Sequence, residues 1–551
     1  MKNVTPSDSH HFLGSNETKN LFKKPAIYIA LIIPFLIAIF HAYSLLPSKA
    51  PFEDSAMLMR YSENISHGHG IRWNINQPPV DGGTDFLYMI TLGGFNAINS
   101  YGIIKNASGL LNITKAVFIA LLIIWILNFS IKKVLYLPSA LLIILIFGPG
   151  FWYTRAYFPT LFFSIFIILS YCLLFEPSFS KQQGFKELKI GYAFPICSLL
   201  MGLARPEGVF LAIFMLIGFY IAEGKKAGWQ LTKKFLLIFG TFGTAYFAWR
   251  WWYFGHPLPN PFYKKSGGGL HLTSLKISIS NVIKFGAPFI VIILLTIKKF
   301  TRQTIGQLTP IVLFTLIWIL ISNEMNYMGR FQYPVFIMLA MLAIFQTRHI
   351  SSWIKSQPAL IAISIILAFA GSFYLNNLCE AKSKEFYYDP NPAGRYDIAN
   401  TLSQFKDKGY TIAVTEAGLL PLYSKWNAID CWGLNDSWIA QNKQISPEYL
   451  DKFKPEVIMI HKTPVSDLPG WPKMCKILEN YAKSHDYILA ASFGRTPKET
   501  HDYYIRSNFN DSKALIKIFE TYPYIWFKDR KRAINFATLK DGKDVNRDLP
   551  K

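Results

Sequence analysis

Apolar runs separated by short polar loops fill most of the first 375 residues. The first run, Ala26 to Leu46, is nearly uncharged and long enough to cross a bilayer. Similar runs continue to about Leu375, where the composition changes abruptly, and residues 376–551 are polar with short alternating stretches. The pattern predicts a polytopic α-helical membrane protein of about 10–11 transmembrane helices over residues 26–375. A C-terminal α/β domain of ordinary size, residues 376–551, follows it.

Charge gives the runs a direction. Lys19, Lys23 and Lys24 favour a cytoplasmic tail over residues 1–25. The first outer loop, 47–85, then emerges on the far side. Further on, Lys225 to Lys234 is basic and reads as cytoplasmic. Phe235 to Phe254 crosses outward, Gly255 to Ser274 is outside, and Ile277 to Ile297 returns to Lys298-Lys299. Leu308 to Ile321 leaves again, Ser322 to Gln332 is outside, and Tyr333 to Phe345 returns to Arg348 and Lys355. Ala359 to Leu375 leaves last, which makes the C-terminal domain extracytoplasmic. Between Lys105 and Gly224 about five apolar runs conflict with an even number required between two basic, cytoplasmic ends. A broken or re-entrant run would resolve this. Arg205-Pro206-Glu207 is the candidate break, because charges at membrane depth must line a cavity or pair.

In the C-terminal part, Thr411–Thr415, Asn427–Asp430, Glu456–Ile460 and Tyr487–Ala491 read as strands. Ile398–Lys406 and Pro472–Lys483 read as helices. There is no glycine-rich phosphate loop and no metal-spaced His/Cys cluster in it.

Composition agrees with a membrane protein: of 551 residues, 51% are hydrophobic, 16% aromatic and 17% charged. The formal net charge of +23 does not point to nucleic acid, because much of it lies in short loops that fix orientation and face anionic lipid. The first run is too long for a signal h-region and lacks a clear small-residue cleavage site, so it reads as a retained span. Cys172 and Cys197 lie in apolar runs, while Cys379, Cys431 and Cys475 leave room for one disulfide if their side is oxidising.

Candidate chemistry starts with Glu53-Asp54, two adjacent carboxylates just beyond the first span. Ser55 to Ser66 follows with Met57, Leu58, Tyr61 and Ile65 on one helical face, and Arg60, Glu63 and Asn64 largely elsewhere. This predicts an amphipathic helix on the membrane surface. It leads to His67-Gly68-His69-Gly70, Asn74 and Val80-Asp81-Gly82-Gly83-Thr84. The two histidines at i, i+2 are weak metal-ligand candidates.

The run from Glu53 to Leu87 resembles the first outer loop of the GT-C superfamily, integral membrane glycosyltransferases that use polyprenyl-phosphate sugars. Within it, the pattern is most similar to the mycobacterial terminal arabinofuranosyltransferase (AftB-like) group: an acidic pair, Arg60-Tyr61, Asn64, Gly68-x-Gly70, Asn74 and Asp81-Gly-x-Thr84. Arg205-Pro206-Glu207-Gly208 matches a further element. Gly255 to Lys265 resembles an outer loop ending in the family lysine. Glu324 and Arg330 resemble an acidic residue and an Arg-Phe element six apart. Gly418 and Asp430-x-x-Gly433-Leu434-x-Asp436 resemble the terminal module. The sequence departs in carrying Glu53 and Glu324 where Asp is usual, and Tyr157-Phe158-Pro159-Thr160 where a Gly-Leu-Glu-Thr element is usual.

The resemblance implies a donor sugar on a lipid phosphate and an acceptor hydroxyl on a glycan, lipid or protein. Asp54 would be the general base of a single displacement, or a nucleophile or stabilising carboxylate if configuration is retained. Glu53 would orient Asp54 or bind a divalent cation. Arg330, Lys265 and Arg205 would hold the leaving phosphate, as a planar fork or a point charge. Arg60, Tyr61, Asn74, Asp81, Asn260 and Glu324 are the remaining substrate-binding candidates. The expected location is a bacterial inner membrane, with the site on its outer face. Transfer to a pilin-type protein and transport of a lipid-linked glycan are the alternatives. A transporter predicts internal repeats and midplane charges, and the sequence shows neither a repeat nor a midplane cluster.

Overall fold

The computed structural model describes residues 25–48, 50–130, 136–176, 191–265, 269–297, 300–354, 356–383, 394–463, 470–522, 524–526 and 532–537. The tail 1–24 and the Lys298-Lys299 and Lys355 markers lie outside the described residues. Among the described residues, sixteen α-helices form the first part: α1 Pro25–Ser44, α2 Glu53–Ser66, α3 Phe86–Ile98, α4 Ile103–Ser130, α5 Tyr136–Phe147, α6 Pro149–Arg155, α7 Thr160–Phe175, α8 Gly191–Ala204, α9 Glu207–Glu223, α10 Lys225–Phe235, α11 Thr241–Phe254, α12 Asn260–Lys265, α13 Leu272–Thr296, α14 Arg302–Leu316, α15 Tyr333–Trp353 and α16 Gln357–Ser383. One π-helical turn, Leu236–Gly240, joins α10 to α11. Among the described residues, five helical stretches are long and apolar enough to span a membrane, and four apolar helices are shorter.

Pairing of α2 with α3 corrects the reading of the middle stretch. Ser62 donates to the Met89 carbonyl at 3.0 Å, and Asn96 at the end of α3 donates to Ser66 at 2.8 Å. The two helices therefore run parallel, and α3 lies in the loop layer beside α2. Lys105 thus starts α4 at the end of the helices where α2 and α3 lie. The five helices α4, α5, α7, α8 and α9 then carry the chain to Lys225 without a re-entrant run. The break at Arg205-Pro206 is the turn of the α8–α9 hairpin, and Arg205 reaches Asp85 at the start of α3.

The C-terminal part is α/β: α17 Gly394–Leu402, β1 Thr411–Val414, α18 Leu419–Ser424, β2 Asn427–Asp430, α19 Ser437–Asn442, α20 Pro447–Phe453, β3 Val457–Lys462, α21 Trp471–Ser484, β4 Tyr487–Thr496, β5 Glu499–Arg506, α22 Ser512–Glu520, β6 Tyr524–Trp526 and β7 Arg532–Asn535. The seven strands form one sheet in the order β2-β1-β3-β5-β4-β7-β6. β1 is parallel to β2 and β3, and the other pairings are antiparallel. Sequence reading found β1 to β4 and missed the central strand β5, whose Thr500–Arg506 run carries two histidine- and charge-bearing positions among its apolar ones.

Alternation along β1 and β3 sends Ile412, Val414, Val457 and Met459 to one face and Ala413, Ile458 and Ile460 to the other. The first face shares a core with Ile398, Leu402, Leu515 and Phe519 of its own domain and extends beyond it. It packs on Met57, Tyr61, Trp73 and Met89 of the first loop layer. Helix α2 is therefore not a surface helix. Its apolar positions pack on α3 and the shared core, and its polar face meets the C-terminal domain. All five cysteines are free thiols, so no disulfide joins Cys379, Cys431 and Cys475.

Candidate active site

Two carboxylates side by side on α2 point to different places. Successive helical residues diverge by about 100°. The Asp54 side chain is 27% exposed, and that of Glu53 is 6% exposed. Asp54 is therefore the more accessible of the two, and it is paired with Arg330. The start of α2 is fixed by Phe52, whose amide donates to the Ala156 carbonyl at 3.3 Å. The Phe52 ring stands edge-on to Tyr327 at 4.5 Å.

Arg330 is set in an aromatic box. Its guanidinium lies 4.1 Å from the Phe158 ring, 5.1 Å from Phe331 and 5.7 Å from Tyr327. Phe158 belongs to the Tyr157–Thr160 element, so the ring that holds the arginine comes just before Pro159, the residue standing where the usual pattern has a carboxylate. The loop that presents Arg330 is a polar knot. Asn326 donates to Asn323 and Gln332, both at 2.7 Å, and accepts from the Phe331 amide at 2.9 Å. Asn281 on α13 donates to Gln332 at 3.1 Å. Met325, Met328 and Tyr157 have positive φ of 61°, 54° and 65°. Such strained backbone persists only where its surroundings over-determine it, commonly at functional sites.

Lys265, at the end of α12, is half-buried beside this pair. Burial pulls its pKa down, Asp54 and Glu324 oppose that, and Arg330 and Arg205 add to it. All four groups therefore act on Lys265 at once. Glu324 is raised by burial, against Lys265, His271 and Lys264, and its Oε2 is buried without a hydrogen-bond partner. Arg205 is held by Asp85 at 2.9 Å and Glu207 at 2.6 Å, and lies 5.5 Å over Phe331. The structure thus gathers Asp54, Arg330, Lys265, Glu324 and Arg205 into one cluster of acidic and cationic groups. Asn260 caps the neighbouring turn: its amide donates to the Asp81 carbonyl at 3.0 Å, and its Nδ2 is buried without a partner.

Four other candidates face the C-terminal domain instead. Glu53 accepts from the amides of Gly418 at 2.8 Å and Leu419 at 2.9 Å, and pairs with Arg395 at 3.1 Å. Burial raises the Glu53 pKa, and Arg395 opposes this. Arg60 donates to the carbonyls of Trp73 and Trp426, each at 2.8 Å, to Asn74 at 3.0 Å, and to Pro421. Tyr61 donates to Asn435 at 3.0 Å. Asn74 brackets Ala428, donating to its carbonyl at 3.0 Å and accepting from its amide at 2.9 Å. These contacts use up the polar groups expected to meet substrate. The arrangement has a simple cause: Glu53, Arg60 and Glu63 share one face of α2, and the C-terminal domain covers that face. His67 and His69 lie in an exposed loop with ring centroids 6.4 Å apart.

Asp81 pairs with Arg250 on α11, at one wall of an elongated cleft of about 350 Å³. Phe86 and Met89 of α3, Leu199 and Leu203 of α8, and Phe239 and Phe247 beside the π-helical turn make it apolar. Sequence reading missed Asp85, Arg250 and Arg395. Arg250 carried a signal, being the one charge in the Phe235–Phe254 run, and an ionisable residue in a span marks function by default. No group of three or more His, Cys, Asp or Glu suited to a metal occurs among the described residues. Asp54 is matched instead by Arg330 and Lys265, which is poor company for a divalent cation.

Residues 385–509 match the model of a domain of unknown function (DUF8728). No curated protein matches the chain. Solved structures do. ArnT from Cupriavidus metallidurans in its apo state aligns over 87% of this chain and 98% of its own, at 13% identity and TM-score 0.55. The fold is that of the GT-C glycosyltransferases. ArnT bound to undecaprenyl phosphate aligns over the same shares at 10% identity and TM-score 0.52. The archaeal oligosaccharyltransferase AglB from Archaeoglobus fulgidus, in complex with an inhibitory peptide and a dolichol-phosphate, aligns over 88% of this chain and 75% of its own, at 11% identity and TM-score 0.50. In the GT-C frame of this chain, α2, α12 and the 322–332 loop meet at one end of the bundle, under the C-terminal sheet.

Proposed function

We propose that the chain is a polyprenyl-phosphate-dependent glycosyltransferase of a bacterial inner membrane, acting on the extracytoplasmic face. The observation that carries this reading is Asp54, a partly exposed carboxylate set against Arg330 and Lys265. A carboxylate able to take a proton and cations able to hold a phosphate are the two needs of such a transfer. Asp54 takes the proton from the acceptor hydroxyl as its oxygen bonds to the anomeric carbon. The bond from that carbon to the donor phosphate oxygen breaks, and the polyprenyl phosphate leaves with the bonding pair. Arg330, Lys265 and Arg205 stabilise the charge that gathers on the phosphate. Donor phosphate competes with Asp54 for Arg330, so binding frees the carboxylate as it fills the site. The apolar cleft beside Asp81 and Arg250 suits the isoprenoid tail. Retention of configuration would give Asp54 the nucleophile's part instead.

Similarity of the outer-loop motifs to the AftB-like group makes arabinofuranose the first donor sugar to try. An envelope glycan, lipid or protein hydroxyl is the acceptor class. The test is transfer by purified protein from a panel of polyprenyl-phosphate sugars to envelope extract. Wild type should transfer one of them, and a folded Asp54→Asn protein should lose about 10²–10⁴ in rate. Equal rates in both would remove Asp54 from the mechanism.

A further inference from the structure

We propose that Arg395 of the C-terminal domain is a positioning residue for Asp54, acting through Glu53. The inference rests on the catalytic reading of Asp54. Arg395 sits between two carboxylates, with Nε 3.1 Å from Glu53 and Nη1 3.3 Å from Glu416. His461 Nδ1 meets the same Glu416 oxygen at 2.7 Å. Glu53 is thus fixed from one domain by two donors, the Gly418 and Leu419 amides, and by the ion pair with Arg395. The backbone itself is gripped: a Cβ at Gly418 would lie 2.3 Å from the Glu53 carbonyl oxygen and 2.5 Å from its Cα. Glu53 is the first residue of α2 and Asp54 the second. No side-chain cap holds that first turn, so the clamp takes the place of one. A shift of Glu53 toward or away from the sheet swings Asp54 relative to Arg330 and Lys265.

Docking of the domain as a whole does not depend on this clamp. Arg60, Tyr61, Asn74 and the Trp73 indole, which donates to the Ala428 carbonyl at 3.0 Å, hold the rest of α2 and its loop. Local and global loosening are therefore separable by their amides. Gly418 and Leu419 report the clamp, Ala56, which donates to Phe52 at 2.8 Å, reports the first turn, and Ala428 reports docking.

The experiment measures hydrogen exchange at these amides in the full-length protein, with sugar-transfer kinetics beside it. Arg395→Ala and Gly418→Ala should each speed exchange at Ala56 and leave Ala428 unchanged. Both should lower kcat by about 10–100-fold, the scale of a misplaced catalytic group, with KM for the donor unchanged. Arg395→Lys should restore part of both effects. Unchanged exchange at Ala56 overturns the proposal whatever the kinetics do. So does a fall in kcat accompanied by faster exchange at Ala428, since that is undocking. Loosening of Ala56 alone, in a wild-type protein that transfers no sugar from any donor, would uphold the clamp and sink the glycosyltransferase reading.

Discussion

Truncation of Arg60 tests the shared core most directly. Arg60 is 7% exposed, and its guanidinium donates to four acceptors. Two of them, the carbonyls of Pro421 and Trp426, belong to the C-terminal domain. Burial lowers the Arg60 pKa only to about 10, so it is charged at neutral pH. A hydrogen bond from a charged group contributes about 1.5–3 kcal/mol, so Arg60→Ala should weaken docking by about 3–6 kcal/mol. At 1.4 kcal/mol per factor of ten, the undocked population should rise by about 10²–10⁴. The Ala428 amide, held across the interface by Asn74, exchanges with solvent only when the domains part. Its exchange rate in the variant should rise by that factor, and the Arg60→Lys protein should fall between the two. A rise of less than about threefold, below the worth of one such bond, would show that the interface does not rest on Arg60.

Three other outcomes follow from the same geometry. Arg330→Lys keeps the charge but loses the planar fork stacked on Phe158, and kcat/KM should fall about tenfold or more, the worth of one charge-assisted bond. A Cβ at Gly243 meets nothing within 4 Å, so Gly243→Phe projects into the apolar cleft; KM should rise for a full-length donor and stay unchanged for one with a truncated tail. Asp81 is raised by burial from 3.8 to about 6 against the pull of Arg250. The folded state then binds this proton more tightly than the unfolded chain, so the contribution of Asp81 to stability falls as pH rises from about 4 to 6. Melting temperatures against pH should show a flatter slope over that window in Asp81→Asn than in wild type.

Parts of this were legible in the sequence because they depend on local rules. Apolar runs separated by cationic loops gave the spans from Phe235 onward, since a bilayer demands long uncharged helices and the loop charges set their direction. Strands β1 to β3 were readable from short β-branched and aliphatic runs. Strand β5 was not, because His501 and Asp502 interrupt its apolar pattern while the fold buries both. Asp54, Arg330, Lys265, Glu324 and Arg205 were picked out together although they are far apart in the chain. Their type and order carried that, and the structure brings them to one place.

The sequence by itself determined that this chain crosses a membrane many times, carries an α/β domain after the last crossing, and offers an acidic pair, a lysine and two arginines in its loops. Periodicity and charge suffice for those statements, because each depends on a few neighbouring residues. Only the tertiary structure decided that Phe86–Ile98 lies alongside α2 in the loop layer, and that the polar face of α2 meets a protein surface. It also separated the two carboxylates, sending Glu53 into Gly418, Leu419 and Arg395 and leaving Asp54 partly exposed beside Arg330. No local pattern encodes that difference. It arises because a sheet formed more than 350 residues later closes over one side of a helix and leaves the other open.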